Sequence, residues 1–113
     1  MGASPDPTRY AYLAVQSLMR EGHEVFPVGL KKGEISGLKI QNGFPGIINV
    51  DTVTLYVGPA HQPYWYDYIL SLKPKRIIFN PGTENPELEN KAAANGIEIE
   101  IACTLVMLSV GNY

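Results

Sequence analysis

With 113 residues, 45% apolar and 18% charged, the chain has the make-up of one soluble globular domain, expected to span residues 1–113 around its own core. A net charge of −2 gives no field that would draw nucleic acid or an anionic membrane. The single Cys103 excludes an intrachain disulfide, and the distant His23 and His61 offer no metal-ligand spacing.

Gly2-Ala3-Ser4, followed by Pro5 and Pro7, reads as a strand-to-helix turn, with Ser4, Asp6 or Thr8 as N-cap. A helix over residues 10–20 follows, and Gly22 supplies its stop. Residues 24–29 (Glu-Val-Phe-Pro-Val-Gly) read as a short buried strand, with Pro27 near its end because proline cannot donate to a ladder. Residues 30–49 form a long Gly- and Lys-rich connection with a brief extended piece at 38–40.

The β-branched run 51–57 is the clearest strand, ended by Gly58-Pro59. A helix is expected over 61–72, with Tyr64, Tyr68 and Leu72 on one face. Residues 75–80 form the next strand, broken by Pro81-Gly82. The helix over 86–95 has Asn85 as N-cap, Pro86 at its first position and Gly96 just past its end. Residues 97–102 are the last strand, and 104–109 read as a short helix or a loop.

Strands alternating with helices imply an α/β fold: a doubly wound, mostly parallel sheet in a three-layer α/β/α arrangement. Ligands in such folds bind beyond the carboxyl ends of the strands. The loops concerned are 2–10, 29–32, 57–63 and 80–85.

Gly2-Ala3-Ser4 can present three backbone N–H groups and a hydroxyl to an anion, with Arg9 as a nearby cation; a plain turn explains it equally well. No G-x-G-x-x-G fingerprint occurs, and no acidic residue ends the 25–28 strand where NAD would need one. Lys31 and Lys32 stand there instead, which weakens NAD and favours a phosphorylated adenosine, either NADP or coenzyme A, although isolated lysines on a surface loop are more often simply solvated. Asn80-Pro81-Gly82-Thr83 combines a tight turn with an amide that can face ligand or backbone. Glu84 could act as a base, but no histidine, serine or second carboxylate completes a catalytic set. Cys103 reads as packing. The expected protein is cytoplasmic, since no apolar run approaches the ~20 residues of a membrane span and no signal peptide is visible.

Four stretches carry a family resemblance: Gly-Ala-Ser-x-x-Pro-x-Arg-Tyr (2–10), His-Glu-Val-x-Pro-Val-Gly (23–29), Phe-Asn-Pro-Gly-Thr-Glu-Asn (79–85) and Cys-Thr-Leu-Val-Met-Leu-Ser-x-Gly (103–111). In this order they resemble the small bacterial CoA-binding proteins, single Rossmann-like domains similar to the CoA-binding domain of the succinyl-CoA synthetase α subunit. The resemblance implies coenzyme A or an acyl-CoA held over the carboxyl edge of the sheet, without an assigned reaction. It implies that Gly2, Ala3, Ser4, Arg9 and Tyr10 surround the phosphates, and that Val28, Gly29, Lys31 and Lys32 lie near the adenosine and its 3′-phosphate. Val57, Gly58, Pro59, Asn80, Pro81, Gly82 and Thr83 would line the rest of the cleft.

Two departures from the family pattern follow. Leu30 stands where relatives often carry a basic residue. Relatives also carry a short apolar strand just before Gly-Ala-Ser that is lacking here, which would open edges on the 25–28 and 53–57 strands. A late start or deletion, a strand supplied by a partner chain in a homo-oligomer, and a rearranged strand order are the open alternatives. The alternatives are a small NADP-dependent enzyme, with Tyr10 or Cys103 as proton donor, and a scaffold with impaired ligand binding.

Overall fold

The computed structural model describes residues 1–113. Two compact units make up the chain: residues 1–45 with 104–113, and residues 46–103. No helix is long and apolar enough to cross a membrane.

In the first unit, α1 (Tyr10–Arg20) buries Ala11, Ala14, Val15 and Leu18, the i, i+3, i+4 stripe of an amphipathic helix. Its N-cap is Arg9, which makes no side-chain cap. The expected capping side chains act one turn earlier: the Asp6 carboxylate accepts from the Thr8 N–H at 2.9 Å, and the Asp6 carbonyl accepts from the Arg9 N–H at 3.1 Å. At the other end Gly22 takes φ +83°. Its N–H reaches the Met19 carbonyl while that of His23 reaches the Leu18 carbonyl, so two orphan carbonyls are satisfied.

The strand expected over 24–29 does not form. Only Val28 pairs, in a single parallel bridge with Gln41. The reason lies in the donors and acceptors: Pro27 has no N–H, and the Val28 carbonyl is already taken by the Gly2 and Ala3 N–H groups at 2.9 and 3.0 Å.

The connection 30–49 holds a small hairpin instead of being only a loop. Strands β1 (Glu34–Ile35) and β2 (Leu38–Lys39) pair antiparallel. Ser36 and Gly37 turn between them with φ +49° and +86°, the left-handed pair that a two-residue hairpin needs. Ile35 and Ile40 are buried with Ala3 and Val15, and Tyr12, Met19, Val25 and Leu38 pack against that cluster. The C-terminal segment is helical: α4 (Thr104–Val110) buries Thr104 and Met107 and packs on α1.

In the second unit, β3 (Thr52–Leu55), β4 (Arg76–Phe79) and β5 (Glu98–Ile101) form a parallel sheet in that order, so β3 and β5 are its edges. The central strand is buried on both faces, with Ile77, Ile78 and Phe79 all fully buried. Arg76 braces all three strands: its guanidinium donates to the Thr52 hydroxyl at 2.8 Å and pairs with the Glu100 carboxylate at 2.9 Å. Because these strands are parallel, each connection between them is a crossover that carries a helical segment.

The first crossover differs from the expected single helix over 61–72. Residues Pro59–Trp65 form a 3₁₀ helix, and α2 begins only at Tyr66–Ser71. Pro63 lies inside this segment, and in an α-helical turn its ring would clash with the carbonyl four residues back, which disfavours α winding there. At three residues per turn Gln62 and Trp65 share the inner face, followed by Tyr66 and Ile69. The expected Tyr64–Tyr68–Leu72 face is therefore not the buried one, and Tyr64 is exposed.

The second crossover follows expectation. In α3 (Pro86–Ala94) the Asn85 side chain accepts from the Glu87 N–H at 3.1 Å. Gly96 at φ +74° closes the helix, with Gly96 N–H on the Ala93 carbonyl and Ile97 N–H on that of Ala92.

Candidate functional site

The first group of expected site residues forms a connected piece of backbone in the first unit. Gly2 and Ala3 both donate to the Val28 carbonyl, which fixes the 2–4 loop against residues 28–29. Two of the three N–H groups expected to face an anion are thus committed to the protein. The buried Ser4 hydroxyl accepts from the Asp6 N–H at 3.2 Å. Gly29 is needed here for lack of a side chain: a Cβ on it would lie 2.5 Å from the Ala3 carbonyl oxygen.

Past Gly29, Lys31 and Lys32 are exposed, as are Arg9 and Tyr10 at the start of α1. The loop carrying the lysines is held from behind by Asn42, whose amide donates to the Gly29 carbonyl at 2.7 Å and to the Lys31 carbonyl at 3.1 Å. Asn42 sits in a polar loop after β2, and no local pattern marks it. The Asp6 carboxyl is held below the usual carboxylate range, first by the Thr8 backbone and hydroxyl hydrogen bonds and then by the Arg9 and Lys31 charges. Asp6 is accordingly ionised beside these cations.

The second group lies at the carboxyl ends of β3 and β4. Asn80, fully buried, turns its amide back to donate to the Thr54 hydroxyl and the Leu55 carbonyl, both at 2.9 Å. Its own carbonyl accepts the Thr83 N–H at 3.0 Å across a turn with Pro81 second and Gly82 third, and Gly82 has φ +90°. This is a type II turn, as the Pro-Gly pair implies. The Thr83 hydroxyl adds a 2.8 Å bond to the same carbonyl, and the Glu84 carboxylate accepts from the Gly82 N–H at 2.7 Å. Glu84 therefore has a structural task within the turn.

Gln62 ties the two carboxyl-end loops to each other. It is fully buried, and its amide donates to the Val57 carbonyl at 2.8 Å and the Thr83 carbonyl at 2.7 Å. Its oxygen accepts from Asn85, whose amide also donates to the Tyr66 hydroxyl at 2.7 Å. Burial pushes the Tyr66 phenol above its ordinary range. A lone glutamine after His61 gave no sign of this role in the sequence. A side chain at Gly58 or Gly82 would meet nothing within 4 Å, so both glycines front open space.

The model of the CoA-binding domain family matches residues 1–109. The chain belongs to that family. Solved structures agree: an uncharacterised protein is 61% identical with a TM-score of 0.97, covering 99% of this chain and 93% of its own. A hypothetical protein from Pyrococcus horikoshii OT3 is 28% identical with a TM-score of 0.81, covering 96% and 78%. A Thermus thermophilus protein, cell-free ID.343, shares the fold at 23% identity and a TM-score of 0.85, covering 100% and 87%. No curated protein matches the chain. The resemblance read from the four sequence motifs is thereby established, and with it the Rossmann-like α/β fold of a CoA-binding domain.

Proposed function

We propose that this CoA-binding domain takes coenzyme A or an acyl-CoA as its ligand and acts by binding it, without catalysing a reaction on it. Membership of the CoA-binding family over nearly the whole chain carries the reading. The loops add chemical support. Gly2, Ala3, Ser4, Arg9 and Tyr10 are the proposed contacts of the phosphates, with Arg9 exposed to offer a forked cation and the Ser4 N–H a backbone donor. Val28, Gly29, Lys31 and Lys32 are proposed for the adenosine, the two lysines neutralising its 3′-phosphate. Val57, Gly58, Pro59, Asn80, Pro81, Gly82 and Thr83 are the proposed contacts of the remainder of the molecule, where glycines without side-chain cover permit close approach.

Thermal unfolding tests this reading. Coenzyme A at about 100 times its Kd adds roughly 2.7 kcal/mol of stability, a rise in Tm of about 10 °C for a domain of this size. Dephospho-CoA gives a smaller shift at equal concentration because it leaves Lys31 and Lys32 without a phosphate. The absence of a shift at millimolar coenzyme A contradicts the proposal, and a larger shift with NADP than with coenzyme A moves it to the nicotinamide nucleotides.

A further inference from the structure

We propose that Gln62 is a positioning residue for the ligand: its side-chain amide locks the loops after β3 and β4 into one preset arrangement and so sets the affinity for coenzyme A. The inference rests on the CoA-binding reading above. Both amide hydrogens are committed, one to the Val57 carbonyl at 2.8 Å and one to the Thr83 carbonyl at 2.7 Å. Those carbonyls belong to the two loops proposed to touch the ligand, and a single nitrogen holds both.

The orientation of the amide is also determined. Reversing it would set its oxygen against two carbonyl oxygens and its nitrogen against the Asn85 amide, which donates to it at 2.8 Å. Asn85 is held in turn by the Tyr66 hydroxyl, by the Glu87 N–H on its oxygen, and by the Glu89 carboxylate on its backbone N–H. Gln62 touches no ligand in this account. It acts through loops that coenzyme A would otherwise have to order as it binds, and such ordering weakens affinity.

Gln62→Glu tests the role. A neutral glutamic acid keeps one O–H donor for one carbonyl, whereas a carboxylate offers only acceptors to two carbonyl oxygens. Burial, and the Val57 and Thr83 carbonyl oxygens that face the side chain, disfavour ionisation, so the introduced acid titrates above the usual range. The ratio of variant to wild-type Kd for coenzyme A should then climb about tenfold between pH 5 and pH 8. Amide hydrogen exchange of the ligand-free protein gives a second readout: the bonded N–H groups of His61, Gly82 and Thr83 should all exchange faster in the variant at pH 8 but not at pH 5.

Asn85→Ser serves as a milder change. Serine caps α3 about as well as asparagine but removes the donor that orients Gln62, so both loops should exchange faster and coenzyme A should bind about threefold more weakly. A Kd ratio that is flat with pH, or loops that exchange independently of each other in both variants, overturns the proposal. If the wild type binds no coenzyme A, the ligand reading fails, and the exchange experiment still decides whether Gln62 couples the loops.

Discussion

Gly29→Ala lowers the stability of the domain by about 3 kcal/mol, at the upper end for overpacking, and its Tm by about 10 °C. The added Cβ lies 2.5 Å from the Ala3 carbonyl oxygen and 3.1 Å from the Ala3 nitrogen, and both are backbone atoms that cannot rotate aside. Residue 29 cannot retreat either. Its N–H is bound to the Gln41 carbonyl at 3.1 Å, and its carbonyl takes the Asn42 amide at 2.7 Å. The 2–4 loop must therefore give way, and its two bonds to Val28 go with it. Coenzyme A affinity should fall together with stability. Gly58→Ala is the matched control: φ −64° suits alanine, and its Cβ meets nothing within 4 Å. That variant should keep the wild-type Tm in thermal denaturation, and any loss of coenzyme A affinity it shows reports on ligand contact alone. Equal stability of the two variants would refute the close packing of Gly29 on Ala3.

Asn80→Leu is expected to be nearly as damaging. Leucine fills a similar volume, but the Thr54 hydroxyl and the buried Leu55 carbonyl each lose the Asn80 amide donor held at 2.9 Å. Removing one partner of buried hydrogen bonds costs about 2–3 kcal/mol, which urea denaturation would read as a lower midpoint at unchanged slope. The Asn80 carbonyl, which nucleates the turn to Thr83, belongs to the backbone and survives. The variant should therefore fold and lose stability without losing the turn. Wild-type stability in Asn80→Leu would mean that the amide contributes nothing net to holding β3 and β4 at their carboxyl ends.

Much of this architecture is legible in the residues because local signals agree with it. Asn85, Pro86 and Gly96 mark both ends of α3, and β-branched runs mark the edge strand β3, where buried and half-buried residues alternate, and the central β4, which is buried on both faces. The misreadings have equally local causes. Residues 24–29 look like a strand by composition, yet a strand is defined by its partners, and the Val28 carbonyl serves the Gly2–Ala3 turn instead. Tyr64, Tyr68 and Leu72 fit an α-helical face, but Pro63 keeps the first turn in 3₁₀ form and shifts the phase toward Gln62 and Trp65. Gln62 and Asn42 are invisible for a different reason. Each bonds carbonyls 5 to 21 residues away, and no pattern of side-chain types records such distances.

The proposed contacts of coenzyme A lie on the glycine-bearing loops, among them those at the carboxyl ends of β3 and β4. The parallel β3 and β4 also have an opposite end, where Asn49, Val50, Asp51, Leu72, Lys73 and Lys75 line a depression in which Lys75 pairs with the Asp51 carboxylate at 3.6 Å. Titration of the isotopically labelled protein with coenzyme A, followed by backbone amide chemical shifts, separates the two ends. Saturable shifts are expected at residues 2–4, 29–32, Gly58, Gly82 and Thr83, with residues 49–51 and 73–75 unmoved. Shifts confined to residues 49–51 and 73–75, or none at millimolar coenzyme A, would contradict the proposal.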